Sequence, residues 1–308
     1  MSSHYVLAQD RGVLAITGED RVAFLQGLVS NDVARVDAGH AIYAALLTAQ
    51  GRYLHDFFIA AHNDSLLIDV ERERLPDLLK KLSLYKLRSK VALKDAGAEW
   101  AVALAWGDDT AQKLGLPAQA GAALALEGGV AFVDPRLAAL GARVMLPLDR
   151  IELAMSAKGL GLGKRADYEM RRLELGVPDG ARDLPIEKAL LLESGFDELN
   201  GIDWKKGCYM GQELTARTKY RGLVRKRLLP VKVEGATPPP GTPVTFDGKD
   251  AGEMRSGHDG RAIALLRLEA VRAAQAAQRP LDAAGTALVP AVPDWVRLPE
   301  PEAEATPG

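Results

Sequence analysis

The sequence predicts an α+β protein with mixed and antiparallel sheets and a small β-barrel at its C-terminal end. Two observations support this class. Through residue 175, runs with strand-like alternation are interleaved with runs of helical periodicity, an order typical of α+β folds. After Gly222 the pattern changes to short β-like runs separated by Pro238-Pro239-Pro240-Gly241, Asp247-Gly248 and Asp259-Gly260, which is typical of a small barrel.

The individual elements follow from periodicity and from turn residues. Leu75, Leu78 and Leu82 fall on one helical face, and Gly176 marks the end of a later helix. Predicted strands lie at residues 13–16, 42–48, 53–60, 65–70, 98–105, 130–133, 142–145, 228–233, 243–246 and 262–268. Predicted helices begin near Val22 and cover residues 71–84, 109–114, 149–158 and 167–175. The stretch 179–203 is predicted to be a long loop, and 299–308 a disordered tail.

Composition narrows the class of protein. The 308 residues have a formal net charge of −2, which argues against a protein that covers nucleic acid without regard to sequence. The sequence contains no run of about 18 apolar residues, so we expect no membrane span. One cysteine excludes an intrachain disulfide and fits a reducing compartment. Because the N-terminus also lacks a signal-peptide pattern, we expect a cytoplasmic protein. We further expect a monomer.

The single cysteine, Cys208, lies in a strongly basic segment. Residues 205–227 contain eight basic residues and one acid, Glu213. Cationic neighbours such as Lys205, Lys206 and Arg217 favour the thiolate form, which can act as a nucleophile or a metal ligand. A lone cysteine is also often a small buried hydrophobe. The flanking Gly207 and Gly211 and the charges favour the functional interpretation.

Other residues are weaker candidates. Asp56 stands in an apolar, aromatic strand, so it is either a buried ligand-binding carboxylate or an edge-strand acid that faces solvent. Glu213 and Arg217 are spaced for a helical ion pair. The basic residues from Lys219 to Arg227 have two interpretations. They form either a solvated face or a surface that binds polyanions or an acidic partner. The five histidines are scattered, so we do not expect a complete intrachain metal site.

Several segments together resemble one family. KGCYMGQE at 206–213, followed by Ala216-Arg217 and Arg221-Gly222, is similar to the cysteine signature of the YgfZ-type proteins, folate-binding factors of iron–sulfur cluster assembly. Weaker similarities to the same family are FLQGLVSND at 24–32, YKLRSKV at 85–91 and RLELGVP at 172–178. The resemblance spans roughly residues 13–230, and the cysteine octapeptide is its most specific part.

The resemblance implies a fold and a domain organisation. YgfZ-type proteins are relatives of the glycine-cleavage aminomethyltransferase, so we expect its three-domain cloverleaf around a central folate pocket. The expected domains are a discontinuous central one (1–50 with 150–222), an inserted ferredoxin-like α+β domain (51–149) and the C-terminal barrel (223–298). Aminomethyltransferases lack the cysteine, which favours the cluster-assembly branch.

The resemblance also implies the ligands and their contacts. Tetrahydrofolate is the expected cofactor, and the expected contacts are Arg11, Asp56, Tyr168, Lys206, Tyr209, Gln212, Glu213 and Arg217. Arg11 and Tyr168 occupy positions where bacterial relatives can carry pocket tryptophans, and Asp56 falls where aminomethyltransferases place an acid. The expected partners are iron–sulfur scaffold or client proteins.

The sequence is compatible with three functions. In the first, the chain is a folate-dependent factor that helps to assemble or insert 4Fe-4S clusters into client enzymes, including radical enzymes that modify tRNA. Cys208 is then a reactive thiolate or an iron ligand shared with a partner. In the second, the chain is an enzyme that transfers a one-carbon group from folate by means of Asp56. In the third, the chain contacts tRNA through residues 219–227.

Overall fold

The computed structural model describes residues 2–222 and 224–299, and three sheets organise this part of the chain. The strands are β1 (His4–Leu7), β2 (Arg11–Thr17), β3 (Ile42–Leu47), β4 (Tyr53–His62), β5 (Ser65–Glu71), β6 (Ala92–Asp95), β7 (Trp100–Trp106), β8 (Ala123–Leu126), β9 (Gly129–Val133), β10 (Ala142–Pro147), β11 (Gly161–Leu162), β12 (Lys226–Glu234), β13 (Pro243–Phe246), β14 (Lys249–His258), β15 (Arg261–Arg267), β16 (Leu281–Ala283) and β17 (Thr286–Pro290). The α-helices are α1 (Arg21–Gln26), α2 (Leu75–Tyr85), α3 (Thr110–Leu114), α4 (Ile151–Ala157), α5 (Arg165–Leu175), α6 (Gly180–Asp183), α7 (Gln212–Tyr220) and α8 (Leu268–Ala277).

The five-stranded sheet, called the first sheet below, contains strands β2 to β6. Its order is β3-β4-β5-β2-β6, and all of its pairings are antiparallel. The first eight residues of β4 are buried. Helices α1 and α2 cover one face of the sheet, and the hydrophobic core at the centre of the molecule covers the other. The expected boundary between residues 50 and 51 falls in the hairpin between β3 and β4, so residues on both sides of it share this sheet.

The other two sheets complete the molecule. The six-stranded sheet has the order β11-β1-β7-β10-β9-β8, and only the β1–β11 pairing is parallel. Strands β12 to β17 form a closed barrel in the order β12-β15-β14-β13-β16-β17. The expected α+β class with mixed and antiparallel sheets and a C-terminal barrel is therefore confirmed.

Local sequence signals explain several boundaries. Helix α5 ends at Gly176, which has a left-handed φ of 72° and donates its backbone N–H to the last helical turn. The predicted long loop at 179–203 contains the short helix α6 and a series of turns. Apart from Pro299, the predicted tail lies outside the described residues. No helix among the described residues is long and apolar enough to cross a membrane.

Candidate functional site

Cys208 lies at the surface, in the loop that leads into α7. Its thiol is exposed and free. The preceding Gly207 has a φ of 92°, and a Cβ added there would meet nothing within 4 Å. The backbone conformation, and not crowding, therefore requires glycine at this position, because residues other than glycine rarely adopt a left-handed φ. The loop turns at Gly207 and presents the sulfur outward.

Lys206 fastens this loop to the segment after α1. Its ammonium donates three hydrogen bonds, to the backbone oxygens of Gln26 (2.8 Å), Val29 (2.6 Å) and Asn31 (2.8 Å). Burial lowers the pKa of Lys206 to about 8, and the nearby Asp32 opposes this shift. The three donors of the ammonium all go to the FLQGLVSND segment, so Lys206 acts as an anchor for the cysteine loop.

Backbone and amide contacts reinforce the same junction. The Met210 N–H donates to the Gly27 oxygen (3.1 Å), and the Gln26 amide donates to the Lys206 oxygen (3.4 Å). Gln212 accepts a hydrogen bond from the Tyr209 N–H (3.3 Å). These contacts hold the loop from both sides of Cys208.

Two glycines bring a third segment, QGRYLHD at 50–56, against the loop. Gly51 and Gly211 have φ values of 80° and 79°. A Cβ on Gly51 would lie 2.6 Å from the Gly211 oxygen, and a Cβ on Gly211 would lie 2.4 Å from the Thr48 oxygen. Only glycine permits so close an approach of the two backbones. The segments around residues 26, 51 and 206 thus converge beneath Cys208.

The other octapeptide residues divide between interior and surface. Tyr209 is buried, and burial raises its pKa to about 12. Its ring centroid is 5.3 Å from the Lys206 nitrogen. Glu213 and Arg217 are exposed on α7, and within the described part of the chain no ion pair joins them. The expected helical pair is therefore absent from this conformation.

A second group of predicted residues lies inside the molecule. Asp56 is 4% exposed and accepts hydrogen bonds from the hydroxyls of Tyr43 (2.9 Å) and Tyr53 (2.6 Å). Burial, together with the charge of Asp56, raises the pKa of the nearby Glu71. Glu71 in turn accepts a hydrogen bond from the Ala181 N–H (2.6 Å) at the start of α6. The structure therefore supports the interpretation of Asp56 as a buried carboxylate and not as an edge-strand acid that faces solvent.

Arg11 belongs to a buried cluster of ion pairs. Its guanidinium contacts the Asp69 carboxylate at 2.5 Å, and Arg143 reaches the second oxygen of that carboxylate at 2.5 Å. Arg136 and Arg143 both pair with Asp134. The Phe58 ring lies among the three arginines, with the Arg143 guanidinium carbon 3.6 Å from the ring centroid.

The residues expected to contact folate in the interior do not fit a bound folate in this conformation. Arg11, Asp56 and Tyr168 are 5%, 4% and 3% exposed. Arg11 and Asp56 are bonded to protein partners, and the Tyr168 ring packs edge-on against Trp106 (5.7 Å between centroids). Five cavities in the described chain, of about 260–430 Å³, are lined by other residues. A folate at these positions would have to displace protein groups.

Known proteins resemble this chain in sequence over most of its length. A family model described as the CAF17 C-terminal β-barrel domain matches residues 225–298. The Mus musculus protein named "Iron-sulfur cluster assembly factor IBA57, mitochondrial" is 34% identical over 92% of this chain and 83% of its own length. The Homo sapiens protein of that name is 35% identical, with 92% and 83% coverage.

The chain belongs to the IBA57 family of iron–sulfur cluster assembly factors. A homologue from Mycosarcoma maydis is 35% identical and covers 88% of this chain and 76% of its own. The sequence resemblance therefore identified the iron–sulfur assembly class correctly, while the comparisons support the IBA57 family rather than the YgfZ-type label specifically.

The fold of this IBA57-family chain is similar to a solved aminomethyltransferase. The crystal structure of glycine cleavage system aminomethyltransferase T from Bartonella henselae superposes with a TM-score of 0.71. The match covers 87% of this chain and 79% of that one at 13% sequence identity. The expected aminomethyltransferase-like architecture is confirmed by this similarity, which concerns the fold alone.

The expected cytoplasmic location is wrong by the same comparisons. The IBA57 relatives from Mus musculus, Homo sapiens and Mycosarcoma maydis are all named as mitochondrial. Composition did not distinguish these compartments, because a single cysteine and a near-neutral charge suit any reducing environment.

Sequence reasoning missed the residues that support the site. The backbone oxygens that hold Lys206 lie in the FLQGLVSND motif, whose resemblance was visible but whose role was not. Arg136 pairs with Asp134 only two residues away, but sequence reasoning did not single out this pair. Arg143 reaches Asp69 on a strand of the other sheet, a contact that depends on how the two sheets pack. Among residues 2–222 and 224–299, no group of three or more His, Cys, Asp or Glu side chains is arranged to hold a metal ion.

Proposed function

We propose that this chain helps to assemble 4Fe-4S clusters or to insert them into client enzymes, with Cys208 as the reactive group. The cluster is the cargo of the reaction. The observation that carries the proposal is that three separate segments, around residues 26, 51 and 206, converge to hold one exposed thiol at the surface. A thiol held in this way is accessible to a partner protein, whereas a structural cysteine is usually buried.

Cys208 can act in one of two ways. It either ligates iron together with ligands from a scaffold protein, or it exchanges with the sulfur ligands of a client. Protein-bound 4Fe-4S clusters are held by four thiolates, and this sequence contains one cysteine. The partner must therefore supply the remaining ligands in either case.

Tetrahydrofolate has no part in this proposal, because Arg11, Asp56 and Tyr168 are closed off by protein contacts. We expect no saturable binding of tetrahydrofolate to the purified full chain in calorimetric titration. Tight binding that Arg11→Ala weakened would instead support a folate site at the molecular centre.

The clients that we propose include radical enzymes that modify tRNA. This expectation is tested by the content of the modified nucleosides in tRNA from a deletion strain that carries each variant. Normal nucleoside content together with loss of other 4Fe-4S activities would exclude the radical enzymes as clients.

The main experiment compares two variants in a deletion strain, read by the activity of a 4Fe-4S enzyme. Cys208→Ser should abolish complementation, because serine is a poor ligand for iron and a poor nucleophile toward sulfur. Asp56→Asn should preserve it, because Asp56 faces two tyrosines and not an open site. The opposite result would favour folate-dependent transfer by Asp56. Immunoblots of both variants confirm equal protein levels.

A further inference from the structure

We propose that the outer face of α7 and the loop before it form a docking surface for a carboxylate-rich protein partner. The inference rests on the proposed function, because a partner bound there would meet Cys208. We call this surface the α7 face, and it consists of Lys205, Cys208, Arg217, Tyr220, Arg221 and Arg225, all of which are exposed.

Seven of the eight basic residues between positions 205 and 227 divide into two classes. Three are used inside the protein. Lys206 bonds to backbone oxygens, Lys219 pairs with Asp197 (3.0 Å) and Arg227 pairs with Glu198 (2.8 Å). In contrast, Lys205, Arg217, Arg221 and Arg225 form no ion pair with any residue in the described ranges 2–222 and 224–299. Their charges are therefore available to a partner.

The α7 face also carries an aromatic side chain. Tyr220 is 77% exposed, and its ring meets the edge of Trp204 with 6.3 Å between centroids. Tyrosine and arginine are enriched among the residues that contribute most to protein interfaces. Arg217 and Tyr220 are about one helical turn apart on α7, Arg221 caps the end of the helix, and all three side chains are exposed.

The helix beneath these side chains is well fixed. Thr215 and Thr218 are buried on its inner side, and Gly211 at its start is packed against Gly51. A helix that is already fixed avoids the entropic cost of ordering its backbone on binding, which favours affinity.

Charge complementarity points to an acidic protein surface as the occupant. The exposed cations lie in a chain whose net charge is −2, so the positive charge is local and would orient an acidic partner toward Cys208. Glu213 lies on the same helix and is exposed, which disfavours a continuous phosphate backbone. The iron ligands that Cys208 needs are thiolates, which a protein supplies and RNA does not.

The experiment uses the full chain and two probes of stated chemistry. Fluorescence anisotropy measures its binding to labelled poly-L-glutamate and to a single-stranded RNA of similar charge. The test variant is Arg217→Glu/Arg221→Glu. The control is Lys232→Glu/Lys249→Glu on the barrel, which makes the same change in net charge at two other exposed residues.

We expect the test variant to bind poly-L-glutamate at least about tenfold more weakly than wild type, and the control to stay within about twofold of wild type. In the deletion strain the test variant should lose 4Fe-4S enzyme activity and the control should keep it. Equal effects of the two variants on binding and activity would overturn the proposal. Tighter binding to RNA that only the test variant lost would also overturn it, in favour of an RNA partner.

These outcomes are separable from failure of the proposed function. If Cys208→Ser complements fully, the assembly role of the thiol is wrong whatever the α7 face binds. If Cys208→Ser fails and the test variant behaves like its control, the thiol is required and the docking surface is wrong.

Discussion

Gly51 and Gly211 lie in direct backbone contact, although they come from distant parts of the chain. A Cβ on Gly211 would be 3.0 Å from the Gly51 Cα, and a Cβ on Gly51 would be 2.6 Å from the Gly211 oxygen. The contact joins the hairpin that follows β3 to the start of α7. It therefore fixes the loop that carries Cys208 with respect to the first sheet.

Gly211→Ala should destabilise the protein by roughly 2–4 kcal/mol, because it adds a backbone clash to the strain of a left-handed φ. Gly248→Ala is the matched control, since Gly248 has a φ of 74° with nothing within 4 Å of the added Cβ. The control should lose only about 1 kcal/mol. Urea unfolding measures the loss of stability in both variants. Equal losses would contradict the claim that the Gly51–Gly211 contact excludes a side chain at position 211.

Lys206→Met should destabilise the protein by about 2–3 kcal/mol, because it leaves three backbone oxygens without their donor. Lys205→Met is the control, because Lys205 is exposed, and it should change stability by no more than about 0.5 kcal/mol. Both free energies come from urea unfolding. If both variants were equally stable, Lys206 would not be the anchor of the loop.

The stability of the protein should fall in mild acid because of His55. Burial and the charge of Arg74 lower the pKa of His55 to about 4, although its hydrogen bond to Asp77 opposes the shift. Between about pH 6.5 and pH 4 the unfolded state binds more protons than the folded state, so stability decreases as pH decreases. The expected contribution of His55 to this decrease from pH 7 to pH 5 is about 2 kcal/mol.

The His55 prediction is checked by urea unfolding at pH 7 and pH 5. His55→Gln should remove about 2 kcal/mol of the difference between the two pH values. His258→Gln, at an exposed position, should keep the wild-type difference. An unchanged pH dependence in His55→Gln would contradict this account.

Local signals were sufficient for much of the fold. Residues 53–60 and 167–175 were predicted in nearly the observed elements, since apolar alternation and a C-terminal glycine are encoded locally. Helix α8 (Leu268–Ala277) was missed, although its alanine-rich sequence carried a helical signal. Strand β14 (Lys249–His258) contains charges and two glycines, and its strand state depends on pairing with β13 and β15.

The candidate site was only partly predictable for a similar reason. The octapeptide predicts Cys208 as a candidate reactive residue from sequence alone. The anchoring by Lys206 and the contact between Gly51 and Gly211 depend on how distant segments pack, which no local pattern encodes. The Arg11–Asp69 ion pair depends on the register of β2 and β5, and the Arg143–Asp69 pair depends on how the two sheets pack.

The most direct test of the central claim blocks the Cys208 thiol in the purified protein. Because the chain has one cysteine, iodoacetamide has a single thiol to modify, and mass spectrometry confirms complete reaction at one site. The readout is the activity of a 4Fe-4S enzyme in deletion-strain extract supplemented with the protein. We predict that untreated protein restores activity, whereas alkylated protein and Cys208→Ser do not. Full restoration by both would contradict the role of Cys208.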